Sequence, residues 1–109
     1  MTPAARVLHA ALAELRARGL AKGASAPFLS TVPPDERVEP VTGGVCAYTA
    51  IADVEDPGRA RDDARAALLR VLGHPPEYFS ALFTWNDDHR RTQAEVEALF
   101  EAAIAAEPA

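Results

Sequence analysis

The stretch Trp85-Asn86-Asp87-Asp88-His89-Arg90-Arg91-Thr92-Gln93 separates two helical patterns, and its reading decides the fold. Thr92 followed by Glu95 is a capping box, in which the Thr hydroxyl accepts from the N–H of Glu95 and the carboxylate accepts from the N–H of Thr92. A helix therefore starts here. Behind it Val96, Leu99, Phe100, Ala103 and Ile104 recur at three- and four-residue steps and form one apolar stripe. Ahead of it Tyr78, Phe79, Leu82 and Phe83 repeat that spacing on a shorter helix closed by Trp85. Asn86 to Arg91 then reads as a tight corner between packed helices. Asn and Asp suit it because their side chains bond to nearby backbone, and Trp85 is expected as the wedge beneath it.

Working outward, Thr2 and Pro3 fit the N-cap and first turn of a helix whose inner face carries Ala4, Leu8, Ala11, Leu12 and Leu15. Gly19 ends it. A left-handed Gly19 would put Leu20 in contact with Leu15, as in a Schellman motif. Pro27, Pro33, Pro34 and Pro40, with Gly23, Gly43 and Gly44, break any regular element from Ala21 to Gly44. This long Pro/Gly-rich loop is expected to be pinned by Phe28 and Leu29, with Val38 to Val41 as a short extended piece.

Val45 to Ala52 fits either a buried strand or a helix, since Val41, Val45, Tyr48 and Ala52 also share one helical face. Helix is favoured, because a single strand would find no partner for its backbone groups. Asp56-Pro57 reads as another helix start, with Ala60, Ala64, Ala67, Leu68, Val71 and Leu72 facing inward and Gly73 past the end. Pro75 and Pro76 break the chain and start the Tyr78 helix. The run from Arg59 to Arg65 reads as a solvated face. The expectation is an all-α chain, one domain over residues 1–109, with about five helices around one core.

Composition narrows the function classes. Of the 109 residues 49% are hydrophobic, many of them Ala, which favours helix over sheet in a core of modest size. The net charge of -5 argues against nucleic acid and anionic membrane as partners, because phosphates would meet a repelling average surface. The single Cys cannot close an internal disulfide, and no Cys/His cluster has the spacing of a metal site. No apolar run reaches the length of a membrane span and the start does not read as a secretory signal, so a cytoplasmic protein is expected.

Three local patterns, in order, resemble a family of small uncharacterised bacterial and phage domains of unknown function. In that family a first helix ends in an Arg-Gly-Trp-Cys-Gln-Gly-Ala type segment, a central helix carries Trp-Cys-Ala-Leu-Gly-Ala, and a Trp-Asn-Asp loop leads through Arg-Thr into the last helix. The corresponding residues here are Arg18 to Ala24, Val45 to Ala50, and Trp85-Asn86-Asp87 with Arg91-Thr92. The third pattern is well matched. In the first two, Leu20 and Ala21 stand for Trp and Cys, and Val45 and Thr49 for Trp and Gly. The resemblance spans nearly the whole chain, implies a helix at Cys46 and brings no activity with it.

Candidate chemistry rests on few side chains. Cys46 near a helix start, with His89, His9 or His74 as base and Asn86 or Asp87 to orient it, would compose a thiol acyl-transfer site; the alternative is a small buried hydrophobe. Asp87, Asp88 and His89 as metal ligands stand against the commoner reading of capping and solvated groups, and no metal or cofactor is assigned. Arg90 and Arg91 just ahead of a helix N-terminus suit a phosphate or carboxylate, unless they pair with Asp87 or Asp88. One of Asn86 and Asp87 is expected to bond the main chain of the corner. Tyr48, Tyr78 and Trp85 would line an apolar pocket or join the core. The leading expectation is a non-enzymatic binding or accessory module acting through a protein partner or small ligand near Trp85, Asn86, Asp87, Arg90, Arg91 and Tyr48. The alternatives are a small enzyme using Cys46, and a phage-type or toxin-type regulator that binds a host protein.

Overall fold

The computed structural model describes residues 1–20, 46–55, 58–88 and 90–108. They form a single small all-α domain of five helices: α1 Pro3–Arg18, α2 Ala47–Ala52, α3 Ala60–Val71, α4 Ser80–Asn86 and α5 Gln93–Ala106. The long loop expected over 21–44, the residues Val41 and Val45, and the proposed helix start at Asp56-Pro57 lie outside the described residues.

α1 begins as its sequence dictates. The Thr2 hydroxyl accepts from the N–H of Ala5 at 3.0 Å, and Pro3 follows in the first turn, where its missing N–H costs nothing. Val7, Leu8, Ala11, Leu12 and Leu15 turn inward and meet α3, α5 and α2. α5 starts at the Thr92/Glu95 capping box, with both reciprocal bonds made, and buries Val96, Leu99, Phe100 and Ala103. Phe100, Leu8, Leu15, Ile51, Leu68, Leu69, Leu82 and Val96 are the largest apolar side chains fully withdrawn from solvent. Each contributes roughly 1.5–3 kcal/mol relative to an exposed position. Polar bonds fix the register of α1 on α5: Arg16 reaches Glu97 at 2.7 Å and Glu101 at 2.6 Å, and Thr2 donates to Glu107 at 3.0 Å.

Four local expectations are corrected. Gly19 has φ 84 but ψ 163, outside the left-handed helical well, and the Leu20 N–H goes to Gln93 Oε1 of α5 at 3.2 Å. No Schellman motif forms there, because a tertiary acceptor takes the donor that the motif would use. The motif forms after α3 instead. His74 N–H reaches the Leu69 carbonyl at 2.9 Å, Gly73 N–H reaches that of Arg70 at 3.1 Å, and Gly73 holds φ 81. On α3 the buried face includes Leu69 and Arg65 as well as Ala60, Ala64, Ala67 and Leu68, whereas Val71 is 41% exposed. The charge run is therefore not uniformly solvated.

α2 is helical, as favoured, but buries Ala47, Ala50 and Ile51, one step round from the face expected through Tyr48 and Ala52. α4 starts later than its aromatic spacing implies. Tyr78 precedes it and stands 52% exposed, while Phe79 at the cap and Trp85 within the helix are only partly covered.

Candidate functional site

The corner after α4 is built by its own side chains. Asp87 closes the helix, its N–H on the Phe83 carbonyl at 2.9 Å. The Asp88 carboxylate then accepts from the N–H of Arg90 at 2.9 Å, and the Asp88 carbonyl accepts from that of Arg91 at 2.8 Å, which reverses the chain into the Thr92 cap. The Thr92 N–H, with the Arg91 guanidinium behind it, holds the Glu95 carboxyl below its ordinary range. The bond from the Arg90 N–H to the Asp88 carboxylate is the local side-chain role that the sequence implies for this corner.

Trp85 packs against the core with Arg91 of the corner over its ring, and Asn86 beside it goes deeper. Asn86 is fully buried, its Oδ1 accepts from the N–H of Ala47 at 2.9 Å, and its Nδ2 donates to Asp87 Oδ1 at 3.0 Å. The expected main-chain bond thus exists, but it ties α4 to the first turn of α2 rather than to the corner itself. Asp87 is 2% exposed, so the pair is a buried polar clamp between two short helices.

Trp85, packed against the core on one side, lines on the other a cleft of about 510 Å³ between the corner and the segment leading into α4. Trp85, Tyr78 and His74 supply its rings, Ala81 and Thr84 line it from α4, and Asp88 and Arg91 bring one charge of each sign. His74 meets Tyr78 edge-on at 5.7 Å, and the Arg91 guanidinium lies 4.0 Å from the centre of the Trp85 ring. Arg91 is also held by two bonds, from Nε to the Trp85 carbonyl at 3.0 Å and from Nη1 to Glu95 at 3.1 Å. Its pairing partner is therefore Glu95, not the Asp87 or Asp88 expected from the sequence.

The remaining sequence candidates fall elsewhere. Asn86 and Asp87 are buried and do not line the cleft; Arg90 is exposed and does not line it either. Tyr48 joins an aromatic cluster, 4.7 Å from Phe83 and 6.4 Å from Phe79, with the Arg65 guanidinium 4.2 Å from its ring centre. His89 lies outside the described residues. Cys46 is the N-cap of α2 and 3% exposed, its Sγ accepting from the Thr49 N–H at 3.4 Å and from the Thr49 hydroxyl at 3.2 Å. That is a structural use of sulfur in place of the usual cap oxygen.

Ala81 and Thr84 are cleft residues that the sequence does not single out; Asp88 is weighed for function there only as a metal ligand, and Tyr78 as a pocket ring. The Pro75-Pro76 break precedes Tyr78, which lies ahead of α4 with its ring 52% exposed and edge-on to His74. Among the described residues no group of three His, Cys, Asp or Glu gathers as metal ligands, and no helix is long and apolar enough to cross a membrane.

The model of a family of unknown function, DUF6197, matches residues 1–106. No curated protein and no solved structure matches the chain.

Proposed function

The chain belongs to the DUF6197 family of unknown function, whose description carries no activity, and we propose from its own side chains that it is a non-enzymatic binding module holding a small ligand in the Trp85/Tyr78 cleft. The observation that carries this reading is the cleft itself. Its volume of about 510 Å³ falls within the range of small-molecule sites, and the Tyr78 ring, 52% exposed, is open to stacking. The cleft also sits on two rigid pieces, the Asn86 clamp and the α5 cap, so a ligand would meet groups already held in place.

The thiol-enzyme alternative has less support. The Cys46 sulfur is enclosed and already accepts two contacts from Thr49, so a nucleophilic role would have to undo the start of α2. A reduced thiol in that cap is consistent with the cytoplasmic location that belongs to this proposal, and cell fractionation tests the location.

Trp85 is the chain's one Trp, so its emission reports on the cleft alone. Titration with small aromatic amines, aromatic acids and neutral heteroaromatics at millimolar concentration is expected to shift that emission and raise Tm for at least one class. Tyr78→Ala, on a side chain 52% exposed, should abolish the shift while leaving the fold intact. If neither emission nor Tm responds to any class, the cleft is not a binding site. Iodoacetamide should label native Cys46 far more slowly than the unfolded chain; equal rates would revive the enzyme reading.

A further inference from the structure

A second cleft, of about 480 Å³, opens beside α3 and shares no lining residue with the Trp85/Tyr78 cleft. We infer that it is a further binding site, for a dipeptide with both termini free: the ligand's ammonium lies on Asp62 and Asp63, its carboxylate on Arg70, and its apolar side chain on Phe79.

The first observation is a carboxylate held from behind. Arg65 Nη1 donates to Asp62 Oδ1 at 3.2 Å, with the Arg65 side chain only 11% exposed and its guanidinium 4.2 Å from the centre of the Tyr48 ring. Among the described residues its Nε has no hydrogen-bond partner. A buried guanidinium with an unmet donor costs stability. What it supplies is an Asp62 carboxylate fixed at the cleft wall, on a side chain that is itself 61% exposed.

The second is spacing. Asp63, Ala66 and Arg70 stand at i, i+3 and i+7 on α3 and all line the cleft, so an acid and a base share one helix face with only a methyl group between them. Seven residues rise about 10.5 Å along a helix, and among the described residues neither Asp63 nor Arg70 makes an ion pair. Arg59, the other cation of the cleft, has Asp62 and Asp63 three and four positions on; Arg70 has no acid at those distances along the chain. The two charges of a single amino acid share one carbon and do not span such a gap, whereas one peptide unit lengthens the ligand by about 3.8 Å.

The third is the rest of the lining. Pro76 and the partly buried Phe79 give an apolar wall, and Glu77 adds a further carboxylate. A ligand with only a negative charge would meet those carboxylates unanswered, and one with only a positive charge would leave Arg70 without a partner. A dipeptide satisfies both ends and lays its side chain on the wall.

The test titrates alanyl-leucine, its N-acetyl form, its C-terminal amide and free leucine into the full chain by calorimetry. Alanyl-leucine is expected to bind tightest, with each of the other three about tenfold weaker. Trp85 emission should stay unmoved, because Trp85 does not line this cleft. Arg70→Gln should bring alanyl-leucine down to the level of the amide, and Asp62→Asn should bring it down to that of the N-acetyl form. Arg65→Met leaves the Asp62 carboxylate in place but unheld. It should weaken alanyl-leucine and leave the N-acetyl form unchanged, a selectivity that a packing defect would not produce. Equal affinity for alanyl-leucine and any one of the other three probes overturns the assignment, and so does the absence of binding at millimolar concentration. Binding of alanyl-leucine that shifts Trp85 emission also overturns it, by moving the peptide to the other cleft.

Discussion

Asn86→Ala removes a side chain whose two ends hold two elements. The substitution strands the Ala47 N–H, at a residue with no solvent exposure, and takes a donor from the Asp87 carboxylate, which is 2% exposed. A buried neutral group left unpaired costs about 1–3 kcal/mol, and a carboxylate more, so the expected loss is about 3–5 kcal/mol. A domain of this size holds roughly 5–15 kcal/mol in total, which makes the clamp a large share of its stability. At roughly 4 °C per kcal/mol the Tm should fall by about 12–20 °C. Urea unfolding, followed both by Trp85 emission and by far-ultraviolet circular dichroism, measures the loss directly. Asp87→Ala in the Asn86→Ala background should recover part of it, because the stranded carboxylate is gone, giving a coupling of about 1–2 kcal/mol. A loss below about 1 kcal/mol for Asn86→Ala, or additive behaviour of the pair, would refute the clamp.

Other perturbations follow from the same coordinates. Gly73→Ala meets nothing within 4 Å but must hold φ 81, so calorimetric unfolding should show a loss of about 1–2 kcal/mol from the backbone alone. Arg65 is buried on the Tyr48 ring and, among the described residues, its Nε has no hydrogen-bond partner and the exposed Asp62 is its ionic partner. Arg65→Met should therefore unfold within about 1 kcal/mol of the parent, whereas Arg65→Ala, which loses the packing too, should cost about 1–3 kcal/mol. Glu95 and Glu97 are both held below the ordinary value of 4.5, by the Thr92 N–H and by Arg16 respectively. Their contribution to stability is present above that value and lost as pH falls through their lowered folded-state values, so Glu95→Gln with Glu97→Gln should flatten the decline of Tm on the acid side of 4.5.

The parts of the fold that could be read in the sequence are those decided locally. Thr2-Pro3 and Thr92/Glu95 start helices by bonds that span three residues, and the stripes behind them are long enough to declare a face. α2 has six residues, too few for periodicity to fix its face, and the Asn86 side chain from α4 anchors its first turn instead. Arg65 looked solvated within its charge run because the Tyr48 ring that covers it comes from another helix. The Gly19 and Gly73 endings differ because Gln93 lies within reach of Leu20, a fact of tertiary placement. At the candidate site the corner was legible and the depth of Asn86 was not: its position demanded a donor and an acceptor for Asp87 and Ala47, partners that only the folded chain brings within reach.

The seating of α1 directly on α5 also governs how a newly made copy comes to rest. α1 is translated before α5, yet the two helices pack together in the finished fold, and Arg16 waits for Glu97 and Glu101. A nascent chain still lacking α5 therefore exposes an oily ridge at its leading end, where holding chaperones and proteases compete for it. A stop codon ahead of Thr92 removes α5 whole, and the shortened product is expected to be cleared rather than to accumulate.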